Sequence, residues 1–200
     1  MKLKWKNMRT LVLLAAIVLG VSSVFVYLSV RRATPSEADK TDFRTIDPEY
    51  LMPIGGEEVT LDQAQASVPF KIRMPTNMGA PVLIKVLLPP QTDTPQVFII
   101  YAPAKLSSNA SIPDVLDDNG IILFEAPNKV TLQEADINLK ALIDSTGGQA
   151  ISINGYFGYA GGNVQHCVSW ATETTHYALS ANIDYPLQQV VGIAQSIPVN

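Results

Sequence analysis

The sequence predicts an α+β protein in which a transmembrane helix precedes an antiparallel sheet of about six to seven strands, covered by helices on one face. Three observations predict it. An uncharged run of twenty residues lies near the N-terminus, segments of alternating apolar residues succeed one another across short turns, and stretches of helical periodicity are separate from them. Short turns favour antiparallel pairing, and segregated helices favour an α+β arrangement.

The uncharged run covers residues 11–30 and is bounded by Arg31 and Arg32. A helix of this length spans about 30 Å, the thickness of the hydrocarbon core of a bilayer. We therefore expect a transmembrane helix whose partner is the lipid bilayer. A cleaved signal peptide is the alternative, because Ser22-Ser23 offers a weak cleavage context. The apolar region of a signal peptide is usually only about 7–15 residues long, which is shorter than the run found here.

The charges beside this run predict its orientation. The preceding side carries the basic residues Lys2, Lys4, Lys6 and Arg9. The following side begins with two arginines and then turns acidic at Glu37. Since Lys and Arg are retained on the cytoplasmic side, we expect residues 1–10 to be a cytoplasmic tail and the C-terminal body to be extracytoplasmic at the cell membrane.

Residues 31–58 have the composition of a juxtamembrane linker, with mixed charges, prolines and Gly55-Gly56. The folded body is expected over residues 59–200. Its first helix begins at Thr60, because Gln63 completes a capping box, and it ends before Pro69.

Alternation and turn residues predict the strands of the body. They are expected at residues 70–74, 82–88, 96–102, 121–125, 150–159, 164–172 and 175–182. Residues 105–120 are predicted to be a long polar loop that enters the next strand through Asn119-Gly120.

Two further helices are predicted by a change to three- and four-residue periodicity. One covers residues 130–145, with Thr131 and Glu134 placed for a capping box and Gly147-Gly148 beyond its end. The other covers residues 186–197, with Pro186 in its first turn.

The C-terminal half resembles a known family. Val168-Ser169-Trp170, the Tyr-x-Leu strand 177–180 and the Ile-Ala-x-Ser helix end at 193–196 are similar to the end of an uncharacterised extracytoplasmic domain. That domain stands at the C-terminus of single-span bacterial and archaeal membrane proteins, some of them similar to anti-sigma factors. Residues 64–75, 120–127 and 153–158 are also similar to segments of that domain. The resemblance therefore covers roughly residues 59–198 and implies an anchored module with no known catalytic residues. Only about ten residues precede the apolar run, so we do not expect an anti-sigma role.

Charge and cysteine content exclude several function classes. The net charge is -4, but residues 1–32 hold six basic side chains and no acidic one. The remaining chain therefore carries 8 basic against 18 acidic residues, or about -10. Such a body repels nucleic acid. A single cysteine excludes an intrachain disulfide and multi-cysteine zinc sites.

No cofactor or metal is expected. His166 and Cys167 lie close to His176 in sequence, but strand alternation places His166 and Cys167 on opposite faces of a sheet. Asp114, Asp117 and their neighbours lack the alternate spacing of a calcium loop.

The candidate partner-binding residues are Tyr156, Phe157 and Tyr159, which lie among glycines at a strand end. They are expected either to form an exposed aromatic lip that binds an envelope protein or to pack in the core. Asn109 begins an Asn-x-Ser sequon and is a candidate glycosylation site.

The chain contains no catalytic sequence motif of the common hydrolase, metalloprotease or nucleotide-binding types. We therefore expect a non-catalytic binding, sensing or structural module of the cell envelope. A carrier of an apolar ligand and an envelope enzyme that uses carboxylates are the alternatives.

Overall fold

The computed structural model describes residues 54–199. The predicted cytoplasmic tail, transmembrane helix and most of the linker lie outside these residues. Within residues 54–199, no helix combines the length and the apolar character that crossing a membrane requires.

An eight-stranded sheet forms the centre of the described region. The strands are β1 (Glu57–Glu58), β2 (Leu83–Leu87), β3 (Gln96–Tyr101), β4 (Ile121–Pro127), β5 (Gln149–Ile153), β6 (Tyr156–Gly161), β7 (Gln165–Ala171) and β8 (Thr175–Asn182). The helices are α1 (Leu61–Ser67), α2 (Ile112–Asp117), α3 (Leu132–Thr146) and α4 (Leu187–Gln195). The strand order is β1-β2-β3-β4-β8-β7-β6-β5, and every neighbouring pair is antiparallel.

The α+β class and the antiparallel sheet are confirmed, but the strand number and some bounds are corrected. The predicted strand 150–159 is a hairpin, because Asn154 and Gly155 both have positive φ (51° and 91°) and turn the chain between β5 and β6. β1 adds a strand within the predicted linker. These two additions and the loss of residues 70–74 give eight strands.

Residues 70–74 have no regular secondary structure and do not join the sheet. The backbone N–H of Ile72 donates to the Gln65 side chain at 2.9 Å, and that of Arg73 donates to the Glu125 carboxylate. The apolar side chains of Phe70 and Ile72 pack into the main core. Alternation correctly indicated one buried side, but side chains rather than a neighbouring strand satisfy this backbone.

The sheet has two differently covered faces. Face A is the side of Leu123, Val168 and Leu179, which form the main core together with α1 and α4. Face B is the opposite side, on which α2 packs against Ile100 and Ile122 in a smaller core.

The third helix also lies on face B. The Thr146 hydroxyl of α3 donates to the Tyr159 hydroxyl at 3.2 Å, and the Lys140 ammonium of α3 lies 5.3 Å from the centre of the Phe157 ring. The prediction of helices on one face is therefore wrong. Since β4 buries Leu123 on one side and Phe124 on the other, both faces require cover.

The predicted helix starts are confirmed at the atomic level. Thr60 with Gln63 and Thr131 with Glu134 form reciprocal capping boxes, and Gly147 ends α3 in the left-handed conformation. The predicted polar loop 105–120 instead contains α2, which Ser111 caps with Asp114 in the same manner.

Two glycine-to-alanine changes are expected to act in opposite directions. A Cβ at Gly120 would lie 2.5 Å from the Val115 carbonyl oxygen, so Gly120→Ala should lower the free energy of unfolding by about 1–3 kcal/mol. A Cβ at Gly192 in α4 meets nothing within 4 Å, so Gly192→Ala should raise it by about 0.5–1 kcal/mol. Chemical denaturation measures both changes, and equal midpoints would contradict this packing.

Candidate functional site

A buried carboxylate lies at the centre of face A. Glu125 belongs to β4, which places it on the same side as Leu123, between Val97 of β3 and Tyr177 of β8. Its side chain is 0% exposed. Glutamate is rarely buried without a partner, so its environment decides its protonation state.

The contact that satisfies this carboxylate comes from the backbone. The Arg73 N–H donates to the two Glu125 carboxylate oxygens at 3.1 and 3.2 Å. Burial raises the pKa of Glu125 to about 8, and the Arg73 N–H and guanidinium lower it only in part. The carboxyl group is therefore half ionised at about pH 8 and mostly protonated at neutral pH.

Aromatic side chains with polar atoms surround this part of face A. Tyr177 stacks on Trp170, with ring centres 4.8 Å apart and planes 6° from parallel. Burial and the neighbouring Glu125 raise the pKa values of Tyr101 and Tyr177 to about 12. The Tyr101 hydroxyl and the Trp170 indole N–H are buried and make no hydrogen bond within residues 54–199.

The strap, defined as residues 70–77, lies over Glu125 and is held at both ends. Near α1, the Gln65 amide donates to the Phe70 carbonyl at 2.8 Å. Near α4, the Thr76 hydroxyl donates to the Ser196 carbonyl at 3.1 Å. These contacts hold the strap in place over Glu125, whose side chain is closed off from solvent.

A Ser–His pair lies on face B, away from Glu125. The Ser169 hydroxyl oxygen lies 3.0 Å from the His176 Nε2. Burial lowers the pKa of His176 to about 4, so the imidazole is neutral at neutral pH and is a weak base. The register of β7 and β8 brings Ser169 and His176, seven positions apart in sequence, close together. No sequence motif indicated this pair.

The cysteine and the histidines are placed as strand alternation predicted. Cys167 lies on face B, His166 on face A, and burial raises the pKa of the Cys167 thiol to about 12. The thiol is therefore protonated and unreactive at neutral pH. Across residues 54–199, no three His, Cys, Asp or Glu side chains converge as metal ligands.

The three candidate partner-binding aromatics do not share one surface. Tyr156 lies on face A, and its hydroxyl donates to the Glu173 carboxylate at 2.7 Å. Phe157 and Tyr159 lie on face B under α3. Tyr159 is 2% exposed. It therefore packs in the core, which was the alternative to an exposed aromatic lip. Partner binding stays a prediction for the part-buried Tyr156 and Phe157.

The sequon lies at the start of α2. Asn109 is exposed in a turn, whereas Ser111 is buried and its hydroxyl donates to the Asp114 carboxylate at 2.7 Å. This bond lowers the pKa of Asp114, and Asp114 completes the capping box in which Ser111 is the N-cap. Glycosylation of Asn109 stays a prediction.

No protein-family model, curated protein or solved structure matches the chain. The resemblance to an extracytoplasmic domain therefore stays a prediction.

Replacing the buried carboxyl group should change how stability depends on pH. The folded-state pKa of Glu125 is about 8 and the reference value is 4.5, so protonation favours folding. Its contribution is fully favourable below pH 4.5 and is lost as pH rises to about 8. Glu125→Gln should thus stabilise the protein at pH 9 by up to about 4 kcal/mol and change little at pH 4.

Thermal denaturation of Glu125→Gln from pH 4 to pH 9 measures this dependence. Glu58→Gln is the matched control, because that side chain is exposed at the sheet edge, and its denaturation profile should follow the wild type. A Glu125→Gln profile parallel to the wild type would contradict a raised pKa.

The two tyrosines should differ in their effect on stability. Tyr159→Ala removes a buried ring under α3 and should lower the free energy of unfolding by about 3–5 kcal/mol. Tyr156→Phe removes only one exposed hydroxyl contact with Glu173 and should change it by less than about 1 kcal/mol. Urea denaturation compares them, and a small effect of Tyr159→Ala would be inconsistent with the packing.

Proposed function

We propose that this protein is a single-pass membrane protein whose α+β body lies outside the cytoplasm and acts by binding, as a sensing or structural module of the cell envelope. The uncharged run at residues 11–30 has four basic residues before it and two, Arg31 and Arg32, directly after it. This supports the anchor and its orientation. The sheet begins at β1, so a linker of more than twenty residues separates this run from the body.

The separation of the reactive side chains supports a binding role. Glu125 lies on face A, whereas Cys167, Ser169 and His176 lie on face B. Burial holds the Cys167 thiol protonated and the His176 imidazole neutral. Catalysis requires groups that converge on one reacting atom in usable protonation states, and this separation is the observation that carries the non-catalytic proposal.

One observation favours a second candidate function, an envelope enzyme that uses a carboxylate. Glu125 has a pKa of about 8, which suits a general acid or base. Its full burial under the strap counts against this candidate, since the strap would have to open in each turnover. If Glu125 is catalytic, Glu125→Gln abolishes an activity; under the binding proposal it changes stability only.

The topology is tested with trypsin added outside intact spheroplasts. The linker contains Lys40 and Arg44, and the folded body should be released into the medium after cleavage there. A cytoplasmic marker protein must stay intact as the control. A body that remains cell-associated and uncut until detergent is added would contradict the orientation. A body already free before trypsin would contradict the anchor.

A further inference from the structure

The two edges of the sheet differ in how they are protected. At one edge, β1 is two residues long and consists of the exposed Glu57 and Glu58. Short length and charge are features by which proteins prevent edge-to-edge pairing. At the other edge, β5 is five residues long, has the sequence QAISI and contains neither charge nor proline. Within residues 54–199, the β5 edge therefore lacks the short length and the charge that protect the β1 edge.

The backbone of β5 presents regular donors and acceptors outward. The two-residue turn at Asn154-Gly155 makes Ile153 and Tyr156 the closing pair of the hairpin, and such a pair exchanges both hydrogen bonds. By alternation, Gln149 and Ile151 also bond to β6, while the N–H and C=O groups of Ala150 and Ser152 point away from it. Consistent with this, the Ser152 carbonyl accepts from the Gln195 side chain at 3.2 Å.

We propose that β5 is a self-association edge, where it pairs antiparallel with β5 of a second copy of this chain. In the two-fold arrangement, Ala150 faces Ser152 of the other copy, and the reverse. Roughly four backbone hydrogen bonds form between the copies. The Ser152 carbonyl has a second lone pair for this bond.

The side chains of β5 favour a second copy over another extended peptide. The two-fold axis passes beside Ile151, which is part-buried and contacts the main core. Self-pairing brings Ile151 against its own copy on face A, so the apolar surface that remains exposed is covered. On face B, Ala150 and Ser152 are small and exposed, which permits close approach.

Electrostatics restrict where two copies can meet. Residues 33–200 hold 8 basic and 18 acidic residues, so two copies repel one another overall. The β5 strand is uncharged and avoids this repulsion. The inference gains support from the proposed membrane anchor, because two copies in one bilayer have a raised effective concentration.

The test adds one cysteine at a time to the purified full-length chain in detergent, keeps the buried Cys167, and oxidises the chain with copper phenanthroline. Ile151 faces its own copy as a non-hydrogen-bonded pair, with Cα atoms about 4.5 Å apart, within the range of a disulfide. Ile151→Cys should therefore form a covalent dimer. Gln149→Cys is the matched control on the same face and strand, since its Cα atoms would lie about 13 Å apart. The wild type, with its buried Cys167, gives the background.

Second-site variants test whether the backbone edge is responsible. In the Ile151→Cys chain, Ser152→Pro removes one outward N–H, and Ser152→Lys adds a protecting charge. Each should lower the crosslink yield at least ten-fold, whereas Ser152→Ala should preserve it. Circular dichroism checks that each variant is folded.

Two outcomes would overturn self-pairing. One is a yield for Ile151→Cys no higher than for Gln149→Cys, and the other is a yield unchanged by both Ser152→Pro and Ser152→Lys. Because the purified chain is used, these outcomes do not depend on which side of a membrane the body occupies. Failure here is thus distinguishable from failure of the proposed topology.

Discussion

The need to cover both sides of the central strands determines the architecture of the body. β4 lies in the middle of the sheet and is apolar in both directions, with Leu123 and Phe124 buried on opposite faces. A sheet with one solvent-exposed face would leave half of these side chains in water. The cost is about 25 cal/mol for each Å² of apolar surface that stays exposed. Helices on both faces remove that cost, and the four helices are divided accordingly between face A and face B.

Glu125 is the exception to this apolar centre, and the strap is its structural consequence. A buried carboxylate without a donor is costly. The strap, which lies in sequence between α1 and β2, passes over Glu125 and supplies the Arg73 N–H. Phe70 and Ile72 of the strap are buried in the main core. The same segment therefore contacts the Glu125 carboxyl group and contributes to the packing of face A. The Ser169–His176 pair, by contrast, lies on face B. Burial keeps the His176 imidazole neutral at neutral pH, which makes it a weak base.

Sequence patterns predicted most elements of the body because they are local. Capping boxes at Thr60 and Thr131, the glycine that ends α3 and the strands β7 and β8 depend on neighbours within a few residues. The errors occurred where one pattern permits two structures. Residues 150–159 are β-like throughout, but the positive φ of Asn154 and Gly155 divides them. Residues 70–74 alternate as a strand does, but their partners are side chains that lie far away in sequence.

The sequence by itself determined the α+β class, the charge distribution, the uncharged run at residues 11–30 and the helix caps, since these follow from composition and short-range spacing. Only the tertiary structure decided that Glu125 is buried, that Ser169 meets His176, that Tyr159 is a core residue and that β5 is an edge. The physical reason is that burial and strand order arise from contacts between distant segments. These contacts decide which side chains are exposed to water. The loss of water around a buried ionisable group then shifts its pKa.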